Sequence, residues 1–155
     1  MAKGKVSPEL IEQFKQIVGE KYVYTDKEKL EPYSHDEVTD PHYMKEPQVV
    51  VLPATTEEVS KVVKLCYEND TVMVPRAAGT GLAAGAVATF GGVIISIERM
   101  NNIIEIDKEN MVCVTEPGVT TAVLQESVQK EGLFYGGDPC SGDSCFIGGS
   151  VATNA

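Results

Sequence analysis

The feature that most constrains this fold is a stretch of 21 residues, 77–97, that contains no charged side chain. A run of that length could cross a membrane as a helix. Five of its residues are glycines, however, and alanine supplies much of the rest, so the run offers little apolar area and a weak tendency to form helix. We therefore predict no membrane span. We expect instead a loop of nearly bare backbone, followed by a strand at 91–97.

The loop reads PRAAGTGLAAG, residues 75–85, and it follows a strand–helix–strand pattern. A short β-branched run at 48–53 predicts the first strand, and TVMVP at 71–75 predicts the second. The helix at 55–68 begins with a capping box, Thr55 to Glu58. Such a unit predicts parallel strands with a right-handed crossover. The loop then lies at the carboxyl end of the second strand, where open α/β sheets bind ligands.

The rest of the sequence predicts further helices and strands before and after the strand–helix–strand unit. Residues 22–47 are polar and rich in tyrosine, and they read as largely irregular with room for one short helix. The stretch from residue 135 to the end reads mostly as loop. The other predicted elements are a helix from Ser7 to Gly19, a hairpin over 103–116 with its turn at 107–110, and a helix from Thr120 or Thr121 to Gly132.

The glycine-rich loop has three interpretations. Gly79–Ala84 fits the G-x-G-x-x-G/A pattern, and Glu98 lies where a ribose-binding acid would follow, which suggests a Rossmann-type nicotinamide site. That unit needs a crossover helix of about a dozen residues, and only Leu82 to Phe90 is available here. We favour an anion nest of consecutive main-chain N–H groups, with Gly79 and Gly81 free to adopt positive φ. A surface loop without a ligand is the third alternative.

The net charge of the chain is −10. This charge argues against nucleic acid and anionic membranes as partners, because both require a basic face. It does not argue against a phosphate ligand, since surface charges are screened beyond about 8–10 Å. A charge-assisted hydrogen bond from a nearby N–H contributes about 1.5–3 kcal/mol. Local donors therefore outweigh the distant acidic side chains.

Neither the cysteines nor the histidines predict a metal site. Cys140 and Cys145 are five residues apart in a loop, with neither CxxC spacing nor paired histidines. The other two cysteines lie in apolar segments and read as small buried hydrophobic residues. His35 and His42 occupy a polar segment that reads as solvated loop. The start MAKGKVSPEL has no apolar core of a signal peptide, so we expect a cytoplasmic location.

Several motifs together resemble a known family. The chain is similar to FAD-linked 2-hydroxy-acid dehydrogenases of the D-lactate dehydrogenase and glycolate oxidase type, within the vanillyl-alcohol oxidase/p-cresol methylhydroxylase (PCMH) superfamily. The resemblance runs from Tyr33 to the last residue. The motifs that carry it, in order, are VPRAAGTGLAAGA, ISIERMNNIIEID, VTEPGVTTAVLQE, GLFYGGDP and SCFIGGSVATNA.

The resemblance implies a non-covalent FAD site, because no histidine lies in the loop or in the later flavin-facing motifs. The loop departs from many relatives at Ala83-Ala84, where a small residue and glycine are usual. The residues implied to wrap the FAD diphosphate are Arg76, Ala77, Ala78, Gly79, Thr80, Gly81 and Leu82. Those implied near the flavin and ribityl chain are Pro117, Gly118, Val119, Asp138, Pro139, Ser141, Ser144, Cys145, Ile147, Gly148, Gly149, Ser150, Val151, Ala152 and Asn154.

The fold implied is α+β, a PCMH-type FAD-binding domain. We expect an N-terminal helix and irregular segment at 1–46, a small parallel α/β subdomain at 47–97, and the start of an incomplete second α+β subdomain at 98–155. The parent enzyme would transfer a hydride from a 2-hydroxy acid to FAD and pass electrons onward, with an electron-transfer protein as one acceptor. Catalytic residues are expected downstream of residue 155, so none is named here.

A different class of function stays open. An incomplete domain exposes apolar surface, so the chain could be a non-catalytic module that binds no FAD and assembles into a homo-oligomer.

Overall fold

Five helices and six strands form the fold of residues 5–155, the part of the chain that the computed structural model describes. The helices are α1 (Pro8–Val18), α2 (Lys27–Leu30), α3 (Thr56–Glu68), α4 (Thr121–Lys130) and α5 (Ile147–Thr153). The strands are β1 (Val23–Tyr24), β2 (Val49–Val51), β3 (Met73–Arg76), β4 (Val93–Ser96), β5 (Ile103–Asp107) and β6 (Val112–Thr115). The mixed α+β class is confirmed. The boundaries drawn at 46/47 and 97/98 stay predictions.

The larger sheet has the strand order β1–β2–β4–β3. Both β2 and β3 pair in parallel with β4, which confirms the predicted parallel strands. β2 and β3 are not neighbours in the sheet, because β4 lies between them. A fourth strand, β1, pairs antiparallel with β2. The sequence analysis had placed β1 in an irregular segment, and two residues are too few to leave a periodic signal.

Local side-chain hydrogen bonds fix where the two long helices of this part begin. The Ser7 hydroxyl accepts from Leu10 N–H at 3.2 Å, and Pro8 occupies the first helical position. At α3, Thr55 Oγ1 accepts from Glu58 N–H at 3.1 Å. The Glu58 carboxylate reaches back to Ala54 N–H at 2.7 Å, one residue before the expected partner. An N-cap of this kind stabilises a helix by about 1 kcal/mol.

Apolar cores cover both faces of the larger sheet. On one face, α1 and α3 pack Phe14 and Val62 against Val49 and Val93. On the other face, a smaller cluster contains Leu30, Leu52 and Ile94. Burial on both faces explains why β2 is an unbroken valine run rather than an alternating pattern.

The second part of the chain is built on the antiparallel pair β5–β6, as predicted. Val119, Leu124 and Val128 form its core, in which α4 packs toward the hairpin. The expectation of loop from residue 135 onward holds only to Phe146, because α5 follows. Gly148 and Gly149 weaken any helix signal in the sequence. Packing against the rest of the fold stabilises α5 in place of intrinsic helix propensity.

No helix within residues 5–155 is long and apolar enough to span a membrane. The longest, α3, has 13 residues, whereas a span needs about 20. The uncharged run 77–97 contains no helix at all.

Replacing a core phenylalanine tests the packing of α1 on the sheet. Phe14 is 0% exposed, so Phe14→Ala should lower the free energy of unfolding by about 3–5 kcal/mol, through lost apolar burial and the cavity left behind. Urea unfolding followed by circular dichroism measures the change. Phe90→Ala is the matched control, since Phe90 is 87% exposed and a surface substitution changes stability by about 0.5 kcal/mol or less. Equal losses in the two variants would contradict this packing.

Thiol alkylation tests the same core. Burial raises the pKa of the Cys66 thiol to about 11, so at pH 8 only about one molecule in a thousand carries the reactive thiolate. Cys140 is exposed. Iodoacetamide at pH 8 should therefore label Cys140 in the native protein and leave Cys66 unmodified, with both labelled in 6 M guanidinium. Mass spectrometry of the peptides decides, and rapid native labelling of Cys66 would refute its placement in the core.

Candidate functional site

The glycine-rich loop leaves β3 at Ala77 and stays irregular through Ala86. Residues 77–92, which connect β3 to β4, contain no helix, so the crossover helix of a Rossmann-type unit is absent there. Glu98, the candidate ribose-binding acid, accepts a hydrogen bond from the Tyr33 hydroxyl at 2.9 Å instead. Both observations go against the nicotinamide alternative.

Six consecutive amides of the loop, those of residues 77–82, are free of internal hydrogen bonds. Within residues 5–155 no main-chain or side-chain oxygen accepts a hydrogen bond from them. Gly79 adopts φ of +75°, a conformation that favours glycine. Residues 77–80 are partly buried, and unpaired amides at such positions are costly. A row of them is suited to a ligand that brings several oxygen acceptors, such as a diphosphate.

Arg76, the last residue of β3, turns its side chain into the loop rather than out to solvent. Its guanidinium donates through Nη1 to Ala86 O at 3.1 Å and through Nη2 to Pro32 O at 3.2 Å. A Cβ at Gly79 would collide with the Arg76 guanidinium, which would have to shift. The loop is therefore wrapped closely around a buried cation, and the positive φ at position 79 favours glycine as well.

The surroundings of Arg76 act on its charge in opposite directions. Burial lowers the pKa of the guanidinium, and the Asp36 carboxylate is the first of the neighbours that raise it again. Tyr33 packs its ring 5.6 Å from the guanidinium carbon. Burial, and then the Glu98 carboxylate, raises the pKa of the Tyr33 hydroxyl, so Tyr33 stays neutral and donates to Glu98. Arg76 remains charged at neutral pH because an arginine pKa starts far above it.

The opposite wall of the site comes from the second part of the chain. The segment 139–145 is fixed to the start of α4, where Thr121 N–H donates to Cys145 O at 3.1 Å and Ala122 N–H donates to Gly142 O at 3.0 Å. The Thr121 hydroxyl also lies 3.2 Å from the Cys145 sulfur. These contacts hold an otherwise irregular segment in one place.

Two glycines bring α5 against both parts of the fold. A Cβ on Gly148 would lie 2.6 Å from Cβ of Pro117, and one on Gly149 would lie 3.0 Å from Cβ of Ala77. Gly148 N–H also donates to Pro117 O at 2.8 Å. The glycine-rich loop and the segment that contains Pro117 are thus joined through the first turn of α5.

Between these walls lies a cleft of about 620 Å³, within the range of about 300–1,000 Å³ typical of ligand sites. Among its lining residues only Arg76 and Asp36 carry charged side chains. Fifteen of the predicted residues line it: Arg76, Ala77, Ala78, Gly79, Thr80, Gly81, Leu82, Pro117, Pro139, Ser141, Cys145, Gly148, Gly149, Ser150 and Ala152.

The other predicted residues lie near the cleft without lining it. Gly118 is held against Met100, to whose carbonyl its N–H donates at 2.7 Å, and Val119 is a core residue. Asp138 lines a separate cavity beside Tyr135. The remaining residues of this group are Ser144, Ile147, Val151 and Asn154. Ligand contact stays a prediction for both groups.

Sequence reasoning missed nine lining residues. Most are neighbours of predicted ones, but Asp36 lies some forty residues before the loop, in the polar segment of His35 and His42 that the sequence analysis read as solvated loop. The nine are Asp36, Pro75, Ala83, Gly85, Ala86, Ile97, Phe146, Thr153 and Ala155.

The arrangement is suited to binding more than to catalysis. Free amides at one end of the cleft can hold a diphosphate, and the small and apolar residues along the rest leave room for a planar ring system. Within residues 5–155 no group of three or more metal-ligating side chains comes together. These walls are suited to an extended ligand with phosphate oxygens at one end and a flat aromatic group at the other.

Comparison with known proteins agrees with this geometry. Residues 47–155 match the FAD binding domain family, and because this is more than half of the chain, the chain belongs to that family. FAD is therefore its cofactor.

Two curated relatives extend the similarity. The chain is 45% identical over 154 residues to D-lactate dehydrogenase of Anaerostipes hadrus, covering 98% of this chain and 31% of the relative. It is 38% identical over 123 residues to glycolate oxidase subunit GlcD of Bacillus subtilis, covering 79% and 26%. The chain thus spans about a third or less of the length of these relatives.

Solved structures share the fold. Alkyldihydroxyacetonephosphate synthase superimposes with a TM-score of 0.87 at 23% identity, over 100% of this chain and 30% of that one. Substrate-bound p-cresol methylhydroxylase gives 0.72 at 28% identity, over 81% and 25%. The expected PCMH-type fold is confirmed.

Substituting Gly79 tests the wrapped loop. Gly79→Ala places a methyl group against the Arg76 guanidinium at a positive φ, a strain of about 1–3 kcal/mol, so the Kd for FAD should rise about tenfold. Gly132→Ala is the matched control, because Gly132 also has positive φ (+78°) but nothing within 4 Å of a Cβ. Both variants should lose some stability, and only Gly79→Ala should lose FAD affinity, measured by flavin fluorescence titration. An unchanged Kd in Gly79→Ala would contradict the loop geometry.

Proposed function

We propose that this chain is the FAD-holding part of a flavin-dependent oxidoreductase that oxidises a D-2-hydroxy acid such as lactate or glycolate. The observation that carries the proposal is the row of six unpaired amides at the end of β3, in a chain 45% identical to a D-lactate dehydrogenase. The named activities of both relatives concern small 2-hydroxy acids, D-lactate and glycolate, which supports this substrate class.

In this proposal the two walls have different tasks. The amides of residues 77–82 bind the diphosphate, while the buried Arg76 charge behind them offsets the phosphate charge without touching it. Because surface charge is screened within about 10 Å, an acidic chain can still hold this anion.

The second wall receives the flavin end. Pro117, Gly148 and Gly149 offer a small, apolar surface on which a flat ring can lie, and Ser141 and Ser150 bring hydroxyl groups near it. Bound FAD supplies the hydride-accepting chemistry for oxidation of the α-carbon. The residues of this chain hold the cofactor and exclude water from its face. None of them is proposed as an acid or base.

The proposal also covers where the protein is located and which proteins it contacts. All four cysteines of the chain are free thiols, which is typical of a reducing compartment and supports a cytoplasmic location. An electron-transfer protein is the proposed onward acceptor, and exposed apolar residues such as Ile104 and Val112 on the hairpin support self-association or docking of further domains.

Flavin binding is the direct test. The purified protein should carry or take up FAD in a one-to-one ratio, and FAD at 100 times its Kd should raise the free energy of unfolding by about 2.7 kcal/mol. FMN lacks the diphosphate, so it should bind at least about tenfold more weakly. Absorbance at 450 nm and thermal unfolding with each nucleotide provide the measurement.

Two outcomes would overturn the proposal. A colourless protein that ignores added FAD would support the non-catalytic module, and stabilisation by NAD but not FAD would support the nicotinamide alternative. For the substrate class, a protein that joins this chain to the remaining length of its relatives should bleach its flavin absorbance with D-lactate or glycolate and not with L-lactate.

A further inference from the structure

A buried carboxylate, Asp36, lies beside the glycine-rich loop and has an unexplained oxygen. Asp36 is 5% exposed. Its Oδ1 accepts from Val38 N–H at 3.0 Å, but its Oδ2 is buried and has no hydrogen-bond partner in residues 5–155. A buried polar atom without a partner is rare and costly. Capping Val38 needs only one oxygen and no charge, so it does not explain why an acid stands here.

The segment around Asp36 is bound to the loop on both sides. The next residue, Glu37, donates its N–H to Gly81 O at 3.0 Å. Before it, Pro32 O accepts from Arg76 Nη2 at 3.2 Å. Asp36 itself lines the cleft together with Arg76. Residues 32–37 therefore form a strap across the loop, and Asp36 lies within it, next to the Glu37 contact.

The guanidinium enclosed by this strap has no contacting counter-ion. Within residues 5–155, Arg76 forms no ion pair at 4.0 Å or less. Glu98, the other nearby acid, is engaged with the Tyr33 hydroxyl. Asp36 is the carboxylate that acts most strongly on Arg76. The two side chains line the same cleft with their charged atoms more than 4.0 Å apart, and neither forms an ion pair with any other residue of 5–155.

We propose that Asp36 is a positioning residue for the FAD-binding loop. Its buried charge keeps the Arg76 guanidinium inside the loop, and the loop thereby keeps the amides of residues 77–82 unpaired and available to a ligand. This inference rests on the proposed FAD site for its purpose, but the attraction between the two charges belongs to the ligand-free protein. Neutralising Asp36 leaves the buried Arg76 cation with carbonyl partners alone. The guanidinium should then move out to solvent more often. Each time it does, the loop loses the side chain that Gly79 packs against.

Cleavage by trypsin reports this opening without any ligand. Trypsin cuts after Arg76 only when the side chain has left its buried place, so the native cleavage rate tracks the population of the opened loop. In Asp36→Asn the Asn oxygen still caps Val38, and only the charge is lost. Cleavage at Arg76–Ala77 should rise about fivefold or more, relative to cleavage after the exposed Lys45, as followed by mass spectrometry.

Glu37→Gln is the matched control, because it removes the same charge one residue away from an exposed side chain. Its cleavage rate at Arg76 should equal that of the wild type. An unchanged rate in Asp36→Asn, or equal increases in both variants, would overturn the proposal.

A comparison in an Arg76→Gln background covers the case in which Asp36→Asn alone fails to fold. In that background the Asp36 charge has no cation to hold, so adding Asp36→Asn should cost no stability and should restore some of it. Thermal unfolding of Arg76→Gln and of the double variant measures the difference. A further loss of stability in the double variant would refute the pairing.

FAD affinity separates this inference from the proposed function. Asp36→Asn should raise the Kd for FAD about fivefold with Arg76 present and leave it unchanged in Arg76→Gln. If the wild type binds no FAD, the proposed function fails, while the cleavage and unfolding results still decide whether Asp36 holds Arg76.

Discussion

The burial of one guanidinium group determines the shape of the cleft. Arg76 ends β3 and donates to a carbonyl at the far end of the loop, Ala86 O, and to one in the N-terminal segment, Pro32 O. A loop of small residues has no core of its own, so this cation is what it packs around. Arg76 donates to one carbonyl of the loop and to one of the N-terminal segment, and the amides of residues 77–82 stay unpaired and available to a ligand. An acidic protein thereby presents a local site for an anion.

The second constraint is the close approach of α5 to the rest of the chain. Gly148 and Gly149 stand where a Cβ would collide with Pro117 or crowd Ala77, and Gly118 stands where a Cβ would lie 2.5 Å from Ile97 O. These positions are all at the junction between the four-stranded sheet and the hairpin part. The two halves of the fold approach each other most closely at positions without a side chain, and a methyl group added there would push the walls of the cleft apart.

Local signals in the sequence were enough for much of the fold. Serine and threonine caps marked the starts of α1, α3 and α4, and the glycine-rich loop and its irregular form followed from its composition. What failed depended on distant partners: β1 exists because it pairs with β2, and α5 forms across two glycines because it packs on Pro117. At the site, the inward turn of Arg76 and the presence of Asp36 could not be read from the sequence, because both depend on a segment some forty residues away.

The position of β3 at the edge of the sheet affects whether separate molecules can pair through their strands. In the order β1–β2–β4–β3 it is an outer strand, and outer strands invite a foreign chain to pair with them. Val93 N–H donates to Val72 O and Ile97 N–H to Arg76 O, so the even-numbered residues face β4 and Pro75 faces outward. A proline has no N–H to offer there. A foreign strand added at this border would therefore lack a hydrogen bond beside the cofactor loop, which disfavours such pairing.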